Sequence, residues 1–312
     1  MAIFTSGQGP NIVDTKPYEI FFMTHRQNPK SYTQLFRTKT VTQAFVENLR
    51  FSSVGRFLTK NEGTPVQYDI PVQGQVTRTT ISTFALGVQM TMEAQMDAQF
   101  DVLNRQVEGL TRSQIDHEER LCWGMIGDMF SGSSTGLGLD GLSIVNTAHT
   151  LLKPPTASIT TQSNELSPGA PLDVDSLEAA LIIGETQLSE EGHQVGKSLQ
   201  FRFLVTPSSL MHVAWTLLNT TGRPGGNLND ASTLTKYGMT PVSSPYLNDI
   251  DTNDWSIMAA PGSNGLTYLS RMRPTMSRSI DADTGNRKFR QIYRGNVQHT
   301  SPLGLGIVGS QV

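Results

Sequence analysis

Residues 94–130 constrain this chain more than any other stretch. Met96, Phe100, Leu103, Val107 and Leu110 recur at spacings of four, three, four and three, and the stripe resumes at Leu121, Met125 and Met129. Gln114 and His117 take the intervening positions. That period predicts one helix of roughly 50 Å at 1.5 Å per residue, which is long for a globular domain. Gly109, Gly124 and Gly127 lie inside it, each weakening a helix by up to about 1 kcal/mol against alanine. Close packing against a neighbouring element would explain them. The run SGSSTGLGLDG, residues 131–141, is read as the loop that closes the helix.

Before the helix, residues 54–92 read as a long, twisted, partly exposed hairpin. Val66, Tyr68, Ile70 and Val72 alternate with Gln67, Asp69 and Pro71, and Val88, Met90 and Met92 alternate again. Pro65 and Pro71 keep this segment out of a fully paired central position. A lone hairpin is marginal in water, so it needs a partner surface. Residues 1–50, punctuated by Gly7, Gly9, Pro10, Pro17 and Pro29, read as an extended arm that docks on something else, with a short helix or strand at 41–49.

After the helix, 142–172 look irregular. A helix over 175–190 is predicted, with Asp175 as cap and Glu178 three residues on. A strand at 201–205 follows. Thr206 and Pro207 then open a second helix whose apolar face is Leu210, Val213, Ala214, Leu217 and Leu218. Residues 220–238 form a polar loop. Short strands at 240–246, 255–259, 266–269 and 288–293 complete a mixed sheet. Between the first helix and its strand, Gly196-Lys197-Ser198 imitates the end of a phosphate-binding loop. The motif needs glycine where Glu191 stands, and a strand before it and a helix after it; here the order is reversed.

The chain has 312 residues with 37% hydrophobic and 16% charged, values that suit extended polar surface seeking partners more than a compact enzyme. Net charge is −3 and the 24 Lys and Arg do not cluster, which disfavours a sequence-specific nucleic-acid binder. Cys122 is the one cysteine and reads as a small buried hydrophobe. No signal pattern and no membrane-length apolar run is visible, so folding in a cytoplasm is expected. The six histidines, His25, His117, His149, His193, His212 and His299, show no metal-ligand spacing. His117 with Asp116, Glu118 and Glu119 reads as a solvated helix face. Ser133 and Ser134 lack the nucleophile elbow. Asp249, Asp251 and Asp254 read as a polar turn, not a calcium loop. No catalytic, cofactor or metal site is expected.

Five stretches in order carry a family likeness: KNEGTPVQYDIPVQG; FALGVQMTMEAQMDAQFDVL with Thr91, Glu93 and Asp97; LDGLSIVNTAHTL; GKSLQFRFLVTPSSL; and VSSPYLNDIDTNDWSIMAAPG with Trp255. Thr150 and Thr206 stand where proline is usual. Over residues 50–312 the chain resembles the major capsid proteins of tailed bacteriophages. The resemblance implies an α+β, Hong Kong phage-like capsid fold. It divides the chain into an N-terminal arm (1–50), an extended β-hairpin loop (51–93), a peripheral domain (94–172) with its spine helix (94–130), an α/β axial domain (173–260) and returning C-terminal strands (261–312). The polar loop at 220–238 would approach the capsomer axis.

The implied function is an icosahedral shell of pentamers and hexamers of this chain, enclosing double-stranded DNA without sequence-specific binding. Partners would be a scaffold protein, a portal and, as an open point, a decoration protein, with no membrane and no cofactor. An arm beginning almost at Met1 suggests that the scaffold is a separate protein. The location would be the virion, after assembly in a bacterial cytoplasm. By the same likeness, Arg56, Lys60, Glu62, Tyr68, Arg78, Glu93, Arg105 and Arg223 are assigned to contacts between subunits. Some relatives crosslink subunits through Lys and Asn; Lys60 lies in the right loop, but a solvated lysine is the plainer reading. The rivals are an encapsulin-type compartment shell, a tail or fibre protein, and a hydrolase whose site is not visible.

Overall fold

The computed structural model describes residues 9–97, 100–222 and 232–312. Two four-stranded sheets share a helical layer. In chain order the helices are α1 (Gly9–Gln27), α2 (Met92–Met96), α3 (Phe100–Asp128), α4 (Val174–Glu185), α5 (Met211–Asn219) and α6 (Pro245–Asn248). The strands are β1 (Arg37–Thr40), β2 (Phe45–Phe51), β3 (Gln73–Thr80), β4 (Ser82–Met90), β5 (His149–Thr150), β6 (Thr161–Gln162), β7 (Phe201–Pro207), β8 (Thr240–Ser244), β9 (Trp255–Ala259), β10 (Leu266–Ile280), β11 (Arg287–His299) and β12 (Ile307–Ser310). The first sheet runs β1-β10-β11-β4 and the second β12-β9-β7-β8, while β2–β3 and β5–β6 form separate pairs.

The predicted long helix is present as α2 and α3. At 29 residues, α3 spans roughly 43 Å. Its stripe is buried as the period requires: Leu103, Val107, Leu110, Met125 and Met129 all face inward. Of its glycines only Gly127 is explained by close packing, since a Cβ there would lie 2.2 Å from Ile250 Cδ1; Gly109 and Gly124 face open space. The solvated-face reading is corrected in part. His117 is exposed, but Glu118 and Glu119 are buried.

Strand alternation places the second sheet between two cores. Val205, Met258 and Ile307 pack with Trp123, Met125 and Ile126 of α3. Their immediate neighbours Leu204, Ile257 and Val308 pack on the other face with Leu177 and Leu181 of α4 and Leu217 and Leu218 of α5. Successive side chains of a strand point to opposite faces, so a sheet buried on both sides needs these continuous apolar runs. Tyr268 and Val297 bring β10 and β11 into the α3 core, so one helix joins both sheets.

Several local expectations are revised. The N-terminal region is not an extended arm throughout: α1 carries Pro17 inside it and packs along α3, burying Phe21 and Thr24. Proline costs a helix interior about 3 kcal/mol, and tertiary packing offsets it. The cap of α4 is Asp173, whose carboxylate accepts from Ser176 N while Ser176 Oγ accepts from Asp173 N. It is a capping box two residues earlier than expected. Pro207 ends β7 and stands at the cap, not the first position, of a 3-10 turn (Ser208–Leu210) that leads into α5, and Val213 on α5 is exposed. Of the polar loop at 220–238, residues 223–231 lie outside the described residues, and Leu234–Tyr237 form a 3-10 turn.

Candidate assembly surface

The predicted hairpin exists with different strands. β2 pairs antiparallel with β3, from Phe45↔Thr80 to Phe51↔Gln73. β4 pairs instead with β11, from Arg287↔Met90 to Gly295↔Ser82. Residues 52–72, which include the alternating stretch 66–72 of the hairpin expected over 54–92, have no regular secondary structure. Pro65 and Pro71 each lack the N–H that a ladder requires, and Gly63 holds a φ of +79°. What projects is a long irregular loop on a two-stranded stem.

The root of this loop is held firmly. Arg50, buried, donates from Nε to Glu190 Oε1 at 2.6 Å and from Nη2 to Glu190 Oε2 at 2.9 Å, and also to the carbonyl of Thr150. Glu190 Oε2 additionally accepts from Leu152 N at 3.0 Å. Ser53 N donates to the buried Glu191, Arg56 Nη2 to Gly192 O at 2.7 Å, and His193 Nε2 lies 3.1 Å from Val54 O. Across the loop, Lys153 pairs with Asp69. That carboxylate also accepts from Gly55 N at 2.6 Å, and the Lys153 hydrogen bond, then that of Gly55, hold it below its ordinary range.

Beyond the root the loop is bare. Phe57 is 106% exposed, Leu58 73%, Tyr68 93% and Ile70 78%, with Phe51, Val54 and Val66 also exposed. So many exposed large apolar side chains on one loop of a folded chain point to an interaction site.

The assigned contact residues fall in three places. Lys60, Glu62 and Tyr68 stand on the exposed loop. Arg56, exposed, donates to Gly192 O at the root, and the Arg78 guanidinium carbon lies 3.6 Å from the centroid of the Phe45 ring, bracing the stem. Glu93 on α2 and Arg105 on α3 are exposed and distant in sequence from the loop; Arg223 lies outside the described residues. Sequence reasoning missed Arg50, Glu190, Glu191, Lys153 and Asp69. The two ion pairs, Lys153 with Asp69 and Arg50 with Glu190, join residues 84 and 140 positions apart, and single acidic and basic residues at such distances leave no local signal.

The lookalike Gly196-Lys197-Ser198 forms a 3-10 turn between α4 and β7. Its glycine serves packing: a Cβ would lie 2.2 Å from Glu185 O and 2.3 Å from Gly184 O. Gly196→Ala is expected to lose about 1–3 kcal/mol in urea denaturation, whereas Lys197→Ala, at an exposed position, should stay within about 0.5 kcal/mol. The three aspartates form a turn, with Asp251 Oδ1 accepting from Asn253 N at 2.7 Å and Asp254 N at 3.3 Å. Cys122 is buried, and desolvation pushes its thiol well above the ordinary value.

A phage capsid protein family model matches residues 74–298, which takes in β4, α3, three of the four strands of the second sheet (β7, β8 and β9), β10 and most of β11. The chain belongs to the phage capsid protein family. No curated protein matches it. Solved structures resemble this capsid protein in fold at low identity. A structure from Mycobacterium phage Patience is 11% identical with a TM-score of 0.57, over 96% of this chain and 87% of that one. A virus-like particle from Pyrococcus furiosus is 9% identical with a TM-score of 0.54, over 95% and 98%. The SrpI encapsulin of Synechococcus elongatus is 13% identical with a TM-score of 0.53, over 90% and 87%. The capsid protein therefore has the Hong Kong phage-like α+β fold, and its role is structural: it builds a shell from copies of itself and resides in the virion capsid.

Proposed function

We propose that this chain is the major head subunit, forming pentamers and hexamers that close into an icosahedral shell around double-stranded DNA, and that residues 52–72 lie across an adjacent subunit. The exposed apolar loop on a fixed root carries this reading. Apolar area removed from water stabilises association by roughly 25 cal/mol per Å², and a standard interface takes about 800 Å² per partner. Repetition of one such contact around a ring adds by multivalency. In this reading residues 1–50 and 51–93 are the arm and the extended loop, 94–172 the peripheral domain, 173–260 the axial domain and 261–312 the returning strands. Lys60, Glu62 and Tyr68 meet the neighbouring subunit directly, and Glu93, Arg105 and Arg223 meet further copies. A scaffold protein, a portal and a decoration protein are partners of the assembling shell in the host cytoplasm, and the subunit performs no catalysis.

Deleting residues 57–68 and closing the gap with glycines keeps Arg56, Asp69 and the whole stem. Negative-stain electron microscopy should show rings or shells for the full chain. The deletion should yield soluble folded protein that does not assemble; closed shells from it would refute the role given to the loop. The likeness to an encapsulin supports a second reading, a compartment holding cargo proteins. Particles purified from cells separate the two by their contents, DNA or protein.

A further inference from the structure

His149, at the start of β5, is enclosed together with Asp140 from the loop after α3; their side chains are 0% and 2% exposed. His149 Nδ1 lies 2.5 Å from Asp140 Oδ2, and Nε2 lies 3.1 Å from Asn164 Oδ1. The orientation of an amide is settled by its other partners, and those of Asn164 are decisive. Its Nδ2 faces three carbonyls, Ile144 O at 2.8 Å, Gly304 O at 3.2 Å and Ile307 O at 3.2 Å. Its Oδ1 accepts from Asn146 N at 2.8 Å. Exchanging the two atoms would set an oxygen against three oxygens, so Oδ1 is an acceptor and His149 Nε2 must donate to it. Nδ1 in turn faces a carboxylate. A neutral imidazole has only one N–H, so no neutral tautomer satisfies both sides while Asp140 is ionised.

We infer that the Asp140–His149 pair retains one proton more than a neutral histidine beside a carboxylate, and that this proton locks the crossing between the two sheets. The proton sits on the ring, giving an imidazolium–carboxylate pair whose protonation belongs to the two groups as a unit. Burial pushes Asp140 up, but the hydrogen bond and charge of His149, joined by the Leu142 N–H and the charge of Arg50, leave the group below its ordinary value, so the carboxyl stays ionised. The other ionisable groups facing the pair are Arg50, Glu165 and His299. Arg50 is engaged by Glu190. His299, at the end of β11, is held down to about 4, by burial first and also by the charge of His149, so it remains neutral.

The placement gives the proton its leverage. The chain leaves the first sheet at His299 and enters the second at Ile307. Asn164 grips the connecting segment at Gly304 and Ile307 while holding Ile144. The fit admits no side chain at Gly304, where φ is +61° and a Cβ would lie 2.2 Å from Ile144 O. Removing the proton sets a bare ring nitrogen against a carboxylate, both buried.

The unfolded chain releases its histidine protons near an ordinary value of about 6.5. A fold that keeps one beyond that point binds more protons than the unfolded state, so its stability falls as pH rises. Asp140→Asn removes the need for the extra proton, because an amide N–H can donate to Nδ1 of a neutral ring. The test uses the full-length protein with 15N-labelled histidine, His149→Gln serving to assign the resonance. Two ring N–H protons on His149 at neutral pH, with a Tm that declines from neutral to alkaline pH in the wild type and not in Asp140→Asn, is the expected result. A single ring N–H on His149, or the same alkaline decline in both proteins, would overturn the inference. Should Asp140→Asn not fold, the ring protons of the wild type decide alone.

Discussion

Replacing Arg50 by alanine should destabilise the subunit by about 3–5 kcal/mol, because it leaves the Glu190 carboxylate buried and uncompensated. The pair is among the least exposed on the molecule, with side chains 7% and 3% accessible, so solvent screening gives little relief. Arg50 also satisfies the Thr150 carbonyl, which loses its donor at the same time. Substituting both partners by apolar residues of similar size, Arg50→Met with Glu190→Leu, should recover much of the loss, since burying an ion pair carries a desolvation cost that its removal returns. Urea denaturation of the two variants beside the wild type measures both effects. If Arg50→Ala unfolds at the wild-type midpoint, the root of the loop is not held as described.

Trp123→Ala should lose about 3–5 kcal/mol. The indole is fully buried in the core that joins α3 to Tyr32, Leu35 and Phe36 of the N-terminal segment and to both sheets. Its Nε1 donates to Glu119 Oε2 at 2.8 Å and lies 3.0 Å from Ser31 Oγ. Glu119 also accepts from Ser31 N at 2.6 Å, and beside it Lys30 pairs with the buried Glu118. Truncation opens a cavity and removes a donor from a buried carboxylate. Trp123→Phe keeps most of the volume and should cost about 1–3 kcal/mol, the share due to the lost hydrogen bond. Equal losses for the two variants would assign the whole effect to the hydrogen bond and none to packing.

The long helix was legible because a 3.6-residue period sustained over many turns has one physical solution. The buried strands at 201–205 and 255–259 were legible for the same kind of reason, as short apolar runs bounded by turns. Pairing was not. Nothing in the residues of β3 says that they join β2 and not β4, since strand partners are chosen by the whole fold. Pro17 argued against a helix that packing on α3 sustains. The proline-rich loop imitated a strand through its alternation at 66–72, although proline had already removed two of the donors a strand needs. The candidate surface was visible as exposed apolar alternation, while its root depended on Arg50, Glu190 and Lys153, whose meeting only tertiary structure creates. His149 and Asp140 lie within a stretch singled out for its family likeness, yet the third member of that network, Asn164, lies outside it.

The two stems of the projecting loop end in the same sheet. β1, four residues before β2, forms one edge of the first sheet, and β4, separated from β3 by Ile81 alone, forms the other. Tension applied at the loop tip by a neighbouring subunit would therefore run down both stems and divide between opposite borders of one hydrogen-bonded plate. On the β4 side it would load a ladder running from Met90 to Ser82 against β11; on the other it would reach the parallel pairing of Arg37–Thr40 with β10. With β10 and β11 between them, the two borders cannot part unless the plate itself tears, so a pull on the loop moves the subunit as one body.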